Sequence, residues 1–263
     1  MKNTCDMKHK ILIPVFAAIM LTGVSCATLD TNTLLQGGLQ AAQAMSLSDS
    51  DVRAYVAQYI VELDARNKVL PESNAYTQRL RRITKGLTSV DGVPLNFKVY
   101  QTNDVNAFAC ADGSVRVYTG LMDLMSDDEI LGVIGHEIGH VAMKHTRKQM
   151  QNAILTSAAR TGISSVGGQI GALTQSQLGA MGEAVLNAKY SRKQETQSDD
   201  YAYTFLKSSG KNPKCLMQSF QKLQSLSGSA KTSDMVSNLF SSHPDTATRI
   251  SRIQSKLKAD GLL

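Results

Sequence analysis

Much is scarce in this chain of 263 residues. It has no tryptophan, aromatic residues make up 5%, and there are four cysteines and five histidines. Cys5, Cys26, Cys110 and Cys215 are spaced too widely to read as a cysteine zinc cluster. No apolar run suits a membrane span: Ile11 to Val24 covers 14 residues, where a spanning helix takes about 20. Residues 149–182 are too polar and too interrupted to span either. A strong charge of one sign is also missing. The net charge is +6, and Lys2, Lys8 and Lys10 against Asp6 account for +2 of it, leaving +4 scattered over the rest. That balance excludes a nucleic-acid footprint. What remains is ordinary globular composition, 42% hydrophobic and 19% charged, with a core of normal size and no sign of a disordered class. The length fits one sizeable domain.

The N-terminus reads as an address. Lys8, His9 and Lys10 form a basic start, from Met1 or Met7, ahead of the apolar stretch, which is the layout of a secretory signal. Two processing readings compete. Gly23-Val24-Ser25-Cys26 resembles the box before the lipidated cysteine of bacterial lipoproteins, although Gly stands where Leu is usual. Ser25-Cys26-Ala27 also fits cleavage after Ala27. The lipoprotein reading is favoured, because a cysteine just behind an apolar run otherwise lacks a reason. It divides the chain into a signal peptide over 1–25, a tether over 26–50 that is rich in small and polar residues, and a domain over 51–263. Lipidation at Cys26 would leave Cys110 and Cys215, either a disulfide or two buried thiols.

Within the domain, apolar spacing predicts a helix from Asp51 to Asn67, capped by Asp49 or Ser50, and another from about Ser73 to Leu87. Leu95–Tyr100, Val105–Cys110 and Val115–Tyr118 read as three short strands with a turn at Ala111–Ser114, followed by a short helix over Leu121–Met125. The fold class is therefore α+β and mostly helical, with a small antiparallel sheet ahead of the next helix. Asn106, Ala107 and Phe108 form the expected edge strand, to which an extended peptide could add. Residues 149–182 read as a flap or helical hairpin over a cleft.

That next helix carries the chemistry. Ser126 and Glu129 form a capping box. Ile130, Leu131, Val133, Ile134, Ile138 and Val141 are too apolar for a surface helix. His136 and His140 stand four apart, one helical turn, so both imidazoles can hold one metal ion. Glu137 between them is placed as general base, activating a zinc-bound water. His145, about 140° further round the same helix, should point away from the metal. Lys144, His145, Arg147 and Lys148 place positive charge at the helix C-terminus.

A zinc site with two histidines needs a third protein ligand and room for water. Glu183 to Leu206 reads as a long helix, and Glu195 within it can be that ligand. Asp199, one turn on, can accept the outer N–H of a ligand histidine. His243, just before Pro244 at a helix start, is free to reach into a cleft.

Together, His136-Glu137-Ile138-Gly139-His140, Glu195-x-x-x-Asp199, and His243-Pro244 with Arg249 resemble the HtpX-like zinc metallopeptidases, gluzincins related to CaaX prenyl endopeptidases. Asn106-Ala107-Phe108-Ala109 and Thr119-Gly120-Leu121 match the same family's motifs, and the resemblance spans roughly Asp51 to Lys256. The chain departs from it at Ala111-Asp112, where the family often has Pro-Gly, and it lacks the helical repeat domain of the chaperone-like relatives. The resemblance implies a zincin-type domain, one Zn2+ per chain, an oxyanion-stabilising His243 and a bracing Arg249. It also implies the secreted lipoprotein branch of Gram-negative bacteria, anchored through Cys26 to the outer membrane and facing the periplasm, with soluble periplasmic residence as the alternative. Misfolded or unassembled envelope proteins would be the substrates. A non-catalytic, zinc-stabilised assembly or chaperone lipoprotein is the alternative function, and a zinc hydrolase of cell-wall peptides is a third.

Overall fold

The computed structural model describes residues 48–149, 189–227, 242–244 and 246–263, together with Asn152 and Gly182. The signal, Cys26, the tether as far as residue 47 and nearly all of the expected flap lie outside the described residues.

Helix α1 (Asp49–Arg66) is capped by Ser48, not by Asp49 or Ser50. The Ser48 hydroxyl accepts from the Asp51 N–H, and the Asp51 carboxylate accepts the Ser48 N–H at 2.9 Å, a reciprocal box that fixes the start at Asp49, two residues before the expected Asp51. Helix α2 (Ala75–Ile83) is capped by Asn74 and ends at Thr84, short of the expected Leu87. Two tiny strands follow, β1 (Ser89–Val90) and β2 (Val93–Pro94), joined by Asp91 and Gly92 at φ 47° and 76°. Two successive positive φ values are the backbone that a two-residue hairpin turn needs.

The main sheet holds β3 (Asn96–Tyr100), β4 (Ala107–Ala109) and β5 (Ser114–Tyr118) in the order β3-β5-β4. It is mixed, which corrects the antiparallel expectation: β4 and β5 form an antiparallel hairpin, but β3 runs parallel to β5 with Asn96 opposite Ser114. The chain crosses over after β3, so β5 becomes central and β4 an edge. Arg116 ties β5 to its β3 neighbour. It is 1% exposed on β5, donates to Asp64 of α1 through Nε (2.8 Å) and Nη2 (3.0 Å), and to the Asn96 carbonyl of β3 through Nη1 (3.0 Å). A buried guanidinium costs several kcal/mol unless paired, and β5 beside β3 and against α1 gives it both partners.

Short helix α3 (Thr119–Leu124) leads into α4 (Asp127–Ala142), where the Ser126–Glu129 capping box is present. Every residue of α4 from Ile130 to Val141 is buried. It runs between β4 on one side and α5 (Arg192–Ser208) and α6 (Lys214–Ser227) on the other. The approach is close enough to demand glycine: a Cβ at Gly132 would lie 2.3 Å from the Cys215 carbonyl oxygen, and one at Gly139 2.4 Å from that of Ser198. Helix α5 starts at Arg192 rather than Glu183, because Ser191 caps it and residues 189–191 are not helical. Helix α7 (Thr246–Ala259) packs on α5 and α6. Cys110 and Cys215 are separate buried thiols, and burial pushes the Cys215 thiol up to about 12. Among the described residues no helix is long and apolar enough to cross a membrane.

Candidate metal centre

The middle of α4 and the first turns of α5 face each other. His136 and His140 are 3% and 0% exposed, and their Nε2 atoms stand 3.0 Å apart. Glu195, on α5, brings Oε1 to 3.3 Å from His140 Nε2 and Oε2 to 3.5 Å from His136 Nε2. His243 joins them from the segment before α7: its Nδ1 lies 3.1 Å from both His136 Nε2 and Glu195 Oε1. One ligand atom from each of the four residues falls within 4.8 Å of all the others. Glu137, 4% exposed, borders this group, with Oε1 3.5 Å from His243 Nε2.

Behind the group lies a layer of hydrogen bonds. His136 Nδ1 sits 2.9 Å from Asp199 Oδ1. Arg249 of α7 donates to both oxygens of Asp199 and stands 2.5 Å from Glu195 Oε2. The guanidinium also stacks over the Phe220 ring, 4.0 Å from its centroid. Ser198, on the same face of α5, donates to the His136 carbonyl. His140 has Tyr190 stacked on it with centroids 3.8 Å apart.

The electrostatics follow from burial and these partners. Burial alone would raise the Glu195 carboxyl, but His136, His140 and His243 together hold it far below the usual range. Asp199 is likewise lowered by Arg249 against its burial. His140 is driven well below the ordinary imidazole value by desolvation. His243 is raised: burial opposes its charge, but Glu137 and Glu195 outweigh that. These directions favour a carboxylate at Glu195 and a neutral imidazole at His140, the forms that bind a divalent cation.

These residues fit a divalent metal on their own chemistry. If His136 gives its Nδ1–H to Asp199, its Nε2 lone pair turns inward, towards that of His140 and the Glu195 carboxylate. Glu195 Oε2 is buried without a hydrogen bond; Arg249 supplies a charge near it but not the geometry. Imidazole lone pairs and a carboxylate converging around a buried oxygen that lacks a hydrogen bond are what a cation satisfies.

The sequence reading brought His136, His140, Glu195, Asp199, His243 and Arg249 forward, and the structure places all six together. Asn106, Ala107 and Phe108 lie on or beside edge strand β4, where Phe108 packs its ring with Tyr100 and Tyr118 away from α4. His145 stays outside the metal-ligating group, but it lies behind His140 instead of out at the helix end. Helix α4 ends at Ala142, and Lys144 takes φ 57°, so the 100° step stops before 145 and the chain turns back. His145 is buried, with Nδ1 2.8 Å from His140 Nδ1, rather than a charge at the helix end. Its burial lowers its pKa. Tyr190 and Phe220 were also passed over; an apolar or aromatic side chain far along the chain carries no signal of its own.

A buried helix bearing His-Glu-x-x-His, a carboxylate from a second helix and a bracing Asp–Arg pair define a zinc metallopeptidase of the zincin type. Residues 74–257 match the profile of peptidase family M48. The chain is 43% identical over 253 residues to metalloprotease LoiP of Escherichia coli (strain K12), covering 96% of this chain and 98% of that one. It is 42% identical over 260 residues to metalloprotease YcaL of the same organism, covering 98% of each. Protease HtpX of Xanthomonas euvesicatoria pv. vesicatoria (strain 85-10) is more distant, 29% identical over 138 residues, or 50% of this chain and 47% of that protein. The chain belongs to peptidase family M48, whose metalloproteases are zinc-dependent, and is a zinc metalloendopeptidase.

Proposed function

We propose that this chain cleaves unfolded or unassembled proteins of the bacterial envelope, with Glu137 as its general base. The observation that carries the reading is the position of Glu137: buried, next to a ligand histidine, and facing the His136–His140–Glu195 group across from His243. In it, His136, His140 and Glu195 hold the ion. When bound, zinc acidifies water and polarises the scissile carbonyl. Glu137 accepts the proton of the attacking water and delivers it to the leaving amine. His243 directs Nε2 towards the same space and donates to the developing oxyanion. Asp199 fixes the His136 ring, and Arg249 fixes Asp199.

Substrate would enter as an extended strand. In the antiparallel β4–β5 pair, alternate residues bond to β5, as in the Tyr118 N–H to Asn106 and Cys110 N–H to Ser114 bonds. Ala107 and Ala109 then turn their backbone groups away from β5, and since both residues are buried, whatever covers this edge would move aside as a peptide adds. The Ala107 N–H is taken by Asn106 Oδ1 at 2.9 Å, so Asn106 would swing aside as a peptide adds. An unfolded polypeptide offers such a strand and a folded one does not, which favours misfolded substrates. The basic start, apolar stretch and Cys26 support export and a lipid anchor in the outer membrane, facing the periplasm.

The test is digestion of an unfolded outer-membrane protein by the purified mature chain, with and without chelator, beside Glu137→Gln. The wild type should cleave and stop on chelation, while Glu137→Gln keeps its zinc and leaves the substrate intact. Cleavage by zinc-loaded Glu137→Gln at the wild-type rate would overturn the assignment of the base.

A further inference from the structure

The two ligand histidines are supported unequally. His136 has an acid behind it, Asp199. His140 has another imidazole: His145 Nδ1 stands 2.8 Å from His140 Nδ1, and His145 Nε2 stands 3.3 Å from the amide oxygen of Gln197 on α5. Two Nδ1 atoms at that distance need one proton between them, and Gln197 decides which ring owns it. An amide oxygen only accepts, so His145 carries its hydrogen on Nε2 and leaves the Nδ1 lone pair free. His140 then donates its own Nδ1–H, and its Nε2 lone pair is turned to the Glu195 side. The backbone is shaped for this contact. Lys144 adopts a left-handed φ of 57° immediately before His145, a conformation that disfavours a residue with a side chain. It ends α4 and brings the next side chain back beneath His140. His145 is 5% exposed, so water does not compete for its Nδ1.

We infer that His145 is a positioning residue for zinc binding: the chain Gln197–His145–His140 fixes His140 as its Nδ1–H tautomer and aims its Nε2 at the ion. This rests on the reading of His140 as a zinc ligand. The arrangement supplies a neutral acceptor where His136 has a charged one. Outer partners of this kind, when removed, weaken metal binding roughly 10–100-fold.

The experiment measures zinc affinity by competition with a chromophoric chelator in the full mature chain. His145→Phe keeps an aromatic ring but offers no acceptor. His145→Asn places an amide oxygen near the position of Nδ1. Gln197→Leu removes the amide that sets the tautomer. His145→Phe should lose roughly 10–100-fold in affinity, His145→Asn should recover most of it, and Gln197→Leu should fall between. His140→Ala separates the two readings. If it keeps wild-type zinc affinity, His140 is no ligand and the underlying reading fails. If it loses zinc while His145→Phe binds as tightly as wild type, or His145→Asn is as weak as His145→Phe, the positioning role fails. Should His145→Phe not fold, His145→Asn and Gln197→Leu carry the comparison. A second readout needs no activity. Long-range proton–nitrogen NMR of the zinc-loaded protein should show His145 protonated at Nε2 and His140 at Nδ1, and a His145 protonated at Nδ1 would overturn the inference.

Discussion

Arg249 holds Asp199 with a two-pronged hydrogen bond, Nε to Oδ2 at 2.8 Å and Nη2 to Oδ1 at 2.7 Å. The same Oδ1 lies 2.9 Å from His136 Nδ1. Both partners of the pair are buried, at 5% and 1% exposure, so the last helix of the chain reaches His136 through Asp199, while the same guanidinium also stands beside Glu195. Planar, bidentate recognition of this kind needs guanidinium and not ammonium.

Removing Arg249 leaves two buried carboxylates, Asp199 and Glu195, without their fixed cation. Arg249→Ala should therefore lose about 3–5 kcal/mol of stability, and Arg249→Lys less but still measurably, since a point charge cannot make both bonds. Asp199→Asn should weaken zinc binding roughly 10–100-fold. Denaturant titration of the zinc-free chain and chelator competition separate the two effects. Equal stability of Arg249→Lys and wild type would show that charge, not the fork, is what matters.

Acid should weaken the fold through Asp64. Burial raises its carboxyl, but hydrogen bonds from Arg116, Lys98 and Tyr100 outweigh that and hold it down at about 2, against an ordinary 3.8. A carboxyl depressed on folding contributes stability above its unfolded pKa, and that contribution fades as pH falls from about 4 towards 2. Asp64→Asn leaves Arg116 buried without a countercharge, so it should cost about 3 kcal/mol or more near neutral pH. The gap between variant and wild type should then close over the same acid window, because the protonated wild type strands Arg116 in the same way. Urea unfolding of both proteins at a series of pH values between 7 and 2 checks this. A gap independent of pH would mean that shape rather than charge is at stake.

Legibility in the sequence tracked how local each feature is. His136, His140 and the Ser126–Glu129 cap were readable because one helix fixes their relations. Glu195 and Asp199 were readable for the same reason on a second helix, and the need for a third ligand linked the two. The parallel pairing of β3 with β5 was not, since strand order depends on where Arg116 finds Asp64 and Asn96, and no periodicity records that. The β1–β2 hairpin is too short to alternate. The place of His145 behind His140 is not readable either, because the helical step ends at Ala142 and nothing in the letters Met143-Lys144 announces a left-handed turn.

The glycines of α4 separate into two kinds. A Cβ at Gly135 would meet the Leu206 side chain at 2.8 Å, whereas one at Gly139 would meet the backbone and hydroxyl of Ser198 at 2.4 and 2.6 Å. A flexible leucine can shift, but the backbone of α5 cannot without moving Glu195 and Asp199. Helix propensity favours alanine over glycine by roughly 1 kcal/mol at either site. Gly135→Ala should therefore be close to neutral. Gly139→Ala should be destabilised by about 1–3 kcal/mol and bind zinc more weakly, as α4 and α5 are forced apart at the ligand level. Thermal unfolding and zinc titration of the pair test it, and equal behaviour of the two variants would show that the interface yields.

Lys144 gives the sharpest local test of how the centre is built. Its left-handed φ disfavours side chains branched at Cβ most, and glycine not at all. Its ammonium pairs with Asp49 at the start of α1, but that lysine is well exposed, and an exposed pair contributes little. Lys144→Gly should thus be neutral or gain up to about 1 kcal/mol by relieving the backbone. Lys144→Val should be destabilised and should also bind zinc less tightly, because relaxing that φ carries His145 away from His140. Unfolding midpoints together with chelator competition decide the matter. If Lys144→Val loses stability but keeps its zinc affinity, the turn serves the fold alone; if both fall together, and both return in Lys144→Gly, the turn is what aims His145.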